Sequence, residues 1–269
     1  MTGICMEWER PSFFVTLHFL FRVEEDFFLG GGVRPFRKLY LLLPSEKKKE
    51  TMKRLVIFDL DGTLLNTIGD LAEATNYALV QCGYPQHPVE DYNMFVGNGI
   101  AKLFERALPE AERTEENIAR MRSFFVPYYD NHNTCRTKPY DGIVELLTAL
   151  QQRGVALAVA SNKYQQATEK LVAHFFPGIR FTAVLGQREG IPVKPDPAIV
   201  YDILSAAALT ADETLYVGDS GVDMMTAGAA GICSVGVTWG FRSREELEKA
   251  GACHLVDTPH EILSIVESL

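Results

Sequence analysis

The chain has 269 residues, 47% of them hydrophobic and 23% charged, with a formal charge of −9. That composition excludes wholesale disorder, collagen and coiled coil, and leaves room for one α/β domain with an insert. The longest apolar run is six residues, Val155 to Ala160. A membrane-spanning helix needs about 20, so no membrane role is expected. Basic residues cluster no further than Lys47, Lys48 and Lys49, which disfavours a nucleic-acid partner. The five cysteines (Cys5, Cys82, Cys135, Cys233, Cys253) are odd in number and form no CxxC pair. They imply a reduced, cytoplasmic protein with no disulfide framework and no zinc site. A monomer or homodimer is expected.

Residues 1–51 differ from the rest of the chain. They hold nine of the 28 aromatic residues and carry net charge +1, against −10 for residues 52–269. Neither a helical nor a strand period runs through them, and Gly30, Gly31 and Gly32 would break both. The apolar stretch Phe13 to Phe21 follows two glutamates and lacks a small-residue cleavage site, so it does not read as a secretory signal. The expectation is an atypical extension outside the fold, with Met52 as the natural start; the competing reading is a genuine partner-binding or anchoring arm.

From Lys53 onward strands and helices alternate. Leu55–Phe58 is a short apolar strand. The next strand, 157–160, comes only about 95 residues later, far more than a crossover helix requires. The intervening chain reads as helical over Asp70–Cys82, Gly99–Leu108 and Thr114–Asn131, with no convincing strand. It is expected to be an inserted cap over 68–138, hinged near Thr67 and Pro139. Further helices are expected over Gly142–Gln152, Tyr164–Phe175, Pro197–Ala208 and Val222–Ala229, and strands at 215–217 and 233–237. Continuously apolar strands separated by helices imply an α/β fold: a doubly wound, Rossmann-like parallel sheet, here built from 52–67 and 139–269.

In such sheets ligands bind beyond the carboxyl ends of the strands. Asp59-Leu60-Asp61-Gly62-Thr63 follows the first strand, Ser161-Asn162 the second, and Gly218-Asp219-Ser220-Gly221-Val222-Asp223 the third; Lys194-Pro195 lies beside a helix start. Each piece alone has a plainer explanation: an Asp-Gly turn, a Ser-Asn helix cap, a proline-rich loop, a solvated helix aspartate. Together they bring four carboxylates, a hydroxyl and a lysine to one edge. Crowded carboxylates need a cation, and a ligand set of oxygens without Cys or His points to Mg²⁺. A cation, a lysine and a hydroxyl together make a phosphate site.

These four segments, in this order, resemble the motifs of haloacid dehalogenase superfamily phosphatases, over residues 53–269. The resemblance implies that Asp59 is the nucleophile, forming an aspartyl-phosphate, and that Asp61 is the general acid and base. Ser161 and Lys194 would hold the phosphoryl oxygens. Asp59, the Asp61 carbonyl and Asp219 would hold Mg²⁺, Asp223 would support it, and Thr63 and Asn162 would orient these site residues and take part in binding the substrate. Asp61 favours hydrolysis over dehalogenation. Lys102 has no context marking it for imine chemistry, and Leu64–Ala74 has no His or Lys suited to a phosphomutase.

In the insert, Phe95-Val96-Gly97-Asn98-Gly99-Ile100, Leu103 and Glu105-Arg106-Ala107-Leu108 resemble phosphoglycolate phosphatases. A carboxylate on the substrate would meet Gly97, Asn98 and Gly99 at the positive end of a helix. Pyrophosphatase or broad phosphosugar and nucleotide phosphatase activity are the alternatives, and a catalytically silent binding module a more distant one.

Overall fold

The computed structural model describes residues 53–268; the expectations for residues 1–51 lie outside them. Within that range β1 (Leu55–Phe58) is followed by β2 (Leu65–Asn66), α1 (Ile68–Cys82), α2 (Tyr92–Phe95), α3 (Ile100–Ala107) and α4 (Glu115–His132). Then come β3 (Lys138–Pro139), α5 (Ile143–Gln152), β4 (Ala156–Tyr164), α6 (Gln165–Phe175), β5 (Ala183–Gln187) and α7 (Ala198–Ala207). β6 (Thr214–Gly218), α8 (Gly221–Ala229), β7 (Cys233–Val237), α9 (Arg244–Lys249), β8 (His254–Val256) and α10 (Pro259–Ser268) complete it. Among the described residues no helix is long and apolar enough to cross a membrane.

Six strands form one sheet in the order β5-β4-β1-β6-β7-β8, every pair parallel. Both faces are apolar because alternate residues serve opposite cores. Val56, Phe58, Leu157 and Val159 pack against α5, α6 and α10. Leu55, Ile57, Ala158 and Tyr216 pack against α7 and α8. The expected α/β doubly wound architecture is what the sequence folds into. From β1 the chain builds out to β4 and β5 on one side, then returns to β6, β7 and β8 on the other. The carboxyl ends of β1, β4 and β6 therefore meet where the winding reverses.

α1 to α4 bury a separate core of their own, with Leu79, Tyr92, Phe104 and Phe125 inside. Phe125 stacks on Tyr129 at 5.1 Å and meets Phe104 edge-on at 5.2 Å. The chain enters and leaves these helices through the antiparallel ribbon β2·β3, with Leu65 opposite Pro139 and Asn66 opposite Lys138. Buried Asp70 ties the two crossings by accepting from the amides of Arg136 and Thr137 (both 2.9 Å) and from the Thr137 hydroxyl at 2.7 Å.

The structure departs from the sequence expectations at several elements. The ribbon and α2 are additions, as are β5, β8, α9 and α10, all short or at the periphery. β4 runs past Ala160 to Tyr164, because a shift in register lets Tyr164 still pair with Gln187 of β5. Ser161 and Asn162 are thus strand residues rather than a helix cap.

Candidate active site

Asp59 leaves β1 with its amide still bonded to the Val217 carbonyl at 2.9 Å, so the strand's register fixes its position. Its Oδ1 accepts from the Leu60 amide at 2.7 Å and lies 3.0 Å from Lys194 Nζ. The following turn closes when the Leu64 and Leu65 amides bond back to the Leu60 carbonyl. Gly62 makes that turn at φ +86°, and a Cβ there would lie 2.2 Å from Asp219 Oδ2. Gly240 hems in the same carboxylate from the other side, where a Cβ would fall 2.2 Å from the Asp219 Cβ. No other residue type lets the two loops approach Asp219 this closely.

Asp219 Oδ2 accepts from the Phe241 amide at 2.7 Å and Oδ1 from the Thr63 hydroxyl at 3.3 Å. Asp223 is fully buried at the start of α8 and forms a capping box with Ser220, its Oδ2 accepting from the Ser220 hydroxyl at 2.6 Å. Its Oδ1 faces Lys194 Nζ at 2.7 Å. Lys194 Nζ also reaches the Ala160 carbonyl at 2.9 Å and the Tyr216 hydroxyl at 3.2 Å. Burial opposes the Lys194 charge, but Asp223 and Asp59 outweigh it and hold the ammonium protonated. Burial pushes the Asp59 carboxyl up to about 7, against the pull of Lys194, with Asp223 and Asp61 adding to the rise. Burial, then Asp223 and Asp59, raise Asp219 well above the ordinary carboxylate range.

Carboxylate oxygens of Asp59, Asp219 and Asp223 lie within 4.8 Å of one another, all buried. Three like charges out of water require a counter-charge, and Lys194 supplies only one. An all-oxygen set of this size suits a hard divalent cation. Asp61, expected among the metal ligands, is outside the group by its carboxylate. Its Oδ1 accepts from Thr67 at 2.7 Å and its Oδ2 pairs with Lys163 Nζ at 3.1 Å.

Thr63 and Asn162 hold the neighbouring site residues, as expected, through contacts within the protein. Thr63 is fully buried against Asp219 rather than facing a ligand. Asn162 spends its amide on the protein: Oδ1 accepts from the Lys194 amide at 2.9 Å, and Nδ2 donates to the carbonyls of Lys194 at 3.1 Å and Gly97 at 3.2 Å. It braces the lysine loop against the inserted helices.

A narrow cavity lies between the strand ends and those helices. Asp59, Asp61 and Ser161 line its floor; Leu71, Phe125 and Tyr129 line its roof. Gly97 and Gly99 reach it, but Asn98 does not. The Asn98 side chain turns to the far side of the turn, where its Oδ1 accepts from Arg106 Nη2 at 2.7 Å. Arg242 holds the same turn from the core, donating to the Val96 carbonyl at 2.7 Å. Lys102, paired with Glu105, stays exposed.

Lys163, Tyr129, Thr67, Tyr216 and Arg242 join the site without having been expected there. Lys163 stands two residues after Ser161, in the irregular stretch of β4 before Tyr164 rejoins Gln187 of β5.

A buried aspartate braced by a buried lysine, a cluster of three carboxylates around them, and a second aspartate two residues on are compatible with a phosphatase-type hydrolase. Residues 56–237 match the haloacid dehalogenase-like hydrolase family model, and the chain belongs to that family. It is 32% identical over 223 residues to a phosphoglycolate phosphatase of Haemophilus influenzae, covering 80% of this chain and 99% of that protein. Against the phosphoglycolate phosphatase of Pectobacterium atrosepticum identity is 34% over 222 residues, covering 80% and 93%. The solved structure of a predicted phosphoglycolate phosphatase of Haemophilus somnus 129PT superposes with a TM-score of 0.73 at 32% identity, covering 80% of this chain and 98% of that one. The protein is a phosphatase of this family.

Proposed function

We propose that the protein is a Mg²⁺-dependent phosphomonoester hydrolase that works through an aspartyl-phosphate on Asp59, with 2-phosphoglycolate as substrate. The observation that carries the reading is the close group of Asp59, Asp219 and Asp223 around Lys194 at the sheet edge. The substrate rests on the named relatives.

An Asp59 oxygen attacks phosphorus while the phosphorus–oxygen bond to the alcohol breaks. Asp61 gives the departing alkoxide a proton, then takes one from the water that attacks the phosphoenzyme and releases phosphate. Ser161 and Lys194 hold the phosphoryl oxygens as charge builds on them. Asp59, Asp219 and the Asp61 carbonyl would hold Mg²⁺, which would supply charge neutralisation at the phosphoryl group. Asp223 positions Lys194 from its far side. The helices of 68–138 act as a cap that excludes water, opening at the ribbon near Thr67 and Pro139, on a core of 52–67 and 139–269.

A panel of phosphometabolites assayed with Mg²⁺ and with EDTA tests this. Phosphoglycolate is expected to give the highest kcat/KM and EDTA to abolish it. Turnover undiminished by EDTA refutes the metal; a flat profile across the panel refutes the substrate.

A further inference from the structure

Two aspartate–lysine pairs stand one above the other at this edge. Asp59–Lys194, at 3.0 Å, belongs to the phosphoryl chemistry. Asp61–Lys163, at 3.1 Å, sits nearer the inserted helices. The Lys163 side chain is only 4% exposed. Its Nζ donates to the Tyr129 hydroxyl at 2.9 Å and lies 4.7 Å from the centre of that ring. Among the described residues that line the cavity, Lys163 is the one cation. The roof around it is apolar, formed by Leu71, Val96, Ile100, Leu103 and Phe125. Whatever part of a substrate extends beyond the phosphoryl group meets hydrocarbon on most sides and one ammonium.

The cavity limits what that part can be. Ser161 and Lys163 are two residues apart on β4, in the irregular stretch where residues 161–163 stand against Gly186 of β5 alone and the Lys163 amide bonds back to Ser161 Oγ at 3.2 Å. Both line the one narrow cavity, so a phosphoryl group at Ser161 and an anion at Lys163 belong to one small molecule.

Asp61 is also committed in this arrangement. Thr67 holds its Oδ1 and Lys163 its Oδ2, so both oxygens are engaged away from a leaving group. A carboxylate arriving at Lys163 replaces one carboxylate by another. The buried ammonium keeps a counter-ion throughout, so the exchange avoids the penalty of stranding a charge. The Asp61 carboxylate that it displaces has lost its counter-charge, takes a proton from solvent, and is then free to face the leaving oxygen as an acid. A substrate with a neutral tail makes no such exchange and leaves Asp61 tied to Lys163.

Building on the proposed phosphatase reaction, we infer that Lys163 reads a carboxylate on the substrate and, by accepting it, releases Asp61 to act as general acid. Specificity for a small phosphorylated acid thus lies on β4 of the core. The Gly97-Asn98-Gly99 turn contributes only its backbone wall.

The test compares 2-phosphoglycolate with its neutral isostere, the corresponding amide, using wild type, Lys163→Met and Lys163→Arg with Mg²⁺. A charge-assisted hydrogen bond sets the scale, so wild type should prefer the acid by roughly 10- to 150-fold in kcat/KM. Lys163→Met should bring that ratio to within about threefold of unity, through a raised KM for the acid and, with Asp61 no longer tied, a raised kcat for the amide, while Lys163→Arg retains most of the preference. Should the methionine variant not fold, Lys163→Gln, which keeps hydrogen bonding without the charge, gives the same comparison. Equal losses on both substrates would mean that Lys163 only braces Asp61, and the inference falls. A wild-type ratio near unity with brisk turnover of both also overturns it, while leaving the phosphatase reading intact. Absence of turnover on either substrate and on p-nitrophenyl phosphate overturns both.

Discussion

On the sheet side of the cavity Asp59, Asp61, Asn162, Lys194, Asp219 and Asp223 each accept or donate at least one hydrogen bond to a fixed partner. On the helical side Leu71, Ile100, Leu103 and Phe125 face the same space with nothing but hydrocarbon. The floor is a prewired polar network, rigid because each member's position is set by a strand end or a cap. The roof is a packed helical core that also serves as a wall. On the proposed function the difference divides the labour: the floor meets the phosphoryl group and the anion beside it, and the roof admits or excludes shapes. Changes in the floor should therefore strike turnover, and changes in the roof should strike stability.

The largest expected effect short of deleting the nucleophile is in the floor. Asp61→Asn should lower kcat/KM on an alkyl phosphate by about 10²- to 10⁴-fold, the usual contribution of a general acid. The loss should be smaller on p-nitrophenyl phosphate, whose leaving group needs no proton. Steady-state kinetics on the two substrates checks this; equal losses would remove Asp61 from the acid role.

In the roof, Phe125→Ala removes a ring that is 1% exposed and packed between Phe104 and Tyr129. It should cost about 3–5 kcal/mol, read by denaturant unfolding. A loss below about 1 kcal/mol would mean that the inserted helices are not a cooperative core of their own.

Metal binding gives a third, smaller handle on the floor. Burial holds Asp59 up at about 7, against 3.8 for a free carboxyl, and raises Asp219 too. Between those values the metal-free folded state keeps protons that the unfolded chain releases. Stability without metal therefore falls as pH rises from about 4 to about 7. Mg²⁺ pairs with the ionised carboxylates, so its stabilisation should be slight near pH 5 and larger near pH 8, up to about 2.7 kcal/mol at a hundredfold excess over Kd. Thermal melts with Mg²⁺ and with EDTA at the two pH values test the sign; a Mg²⁺ effect larger at pH 5 would contradict it.

The smallest effect belongs to Asn98. Its side chain faces Arg106 outside the cavity, so Asn98→Ala should change kcat/KM on phosphoglycolate by about threefold or less. A selective loss on phosphoglycolate would return the carboxylate site to the roof.

The two regions are also unequally legible in the sequence. Apolar runs ending in Asp59 or Asp219 announce both a buried strand and the reactive group at its end, so the floor follows from local pattern. The roof does not, because Leu71 and Phe125 read as ordinary helix-core residues whether or not they also line a cavity. Asn98 reads as a donor because Gly-Asn-Gly before a helix suits an anion, but Arg106, further along α3, claims it. Lys163 escapes notice because Ser161-Asn162 suits a helix cap, whereas β4 runs on through it to the Tyr164–Gln187 pair with β5. β5 and β8 escape notice for a related reason: edge strands of five and three residues, partly exposed, carry too little periodicity to stand out.

Everything in the floor turns on the covalent role of Asp59. Enzyme mixed with phosphoglycolate and Mg²⁺, quenched in acid during turnover and digested, should yield a peptide containing Asp59 heavier by one phosphoryl group. Asp59→Asn should yield no such peptide and should lose about 10⁴-fold or more in turnover, the scale seen when a covalent nucleophile is removed. A phosphoryl group on another residue, or full turnover by Asp59→Asn, would contradict that role.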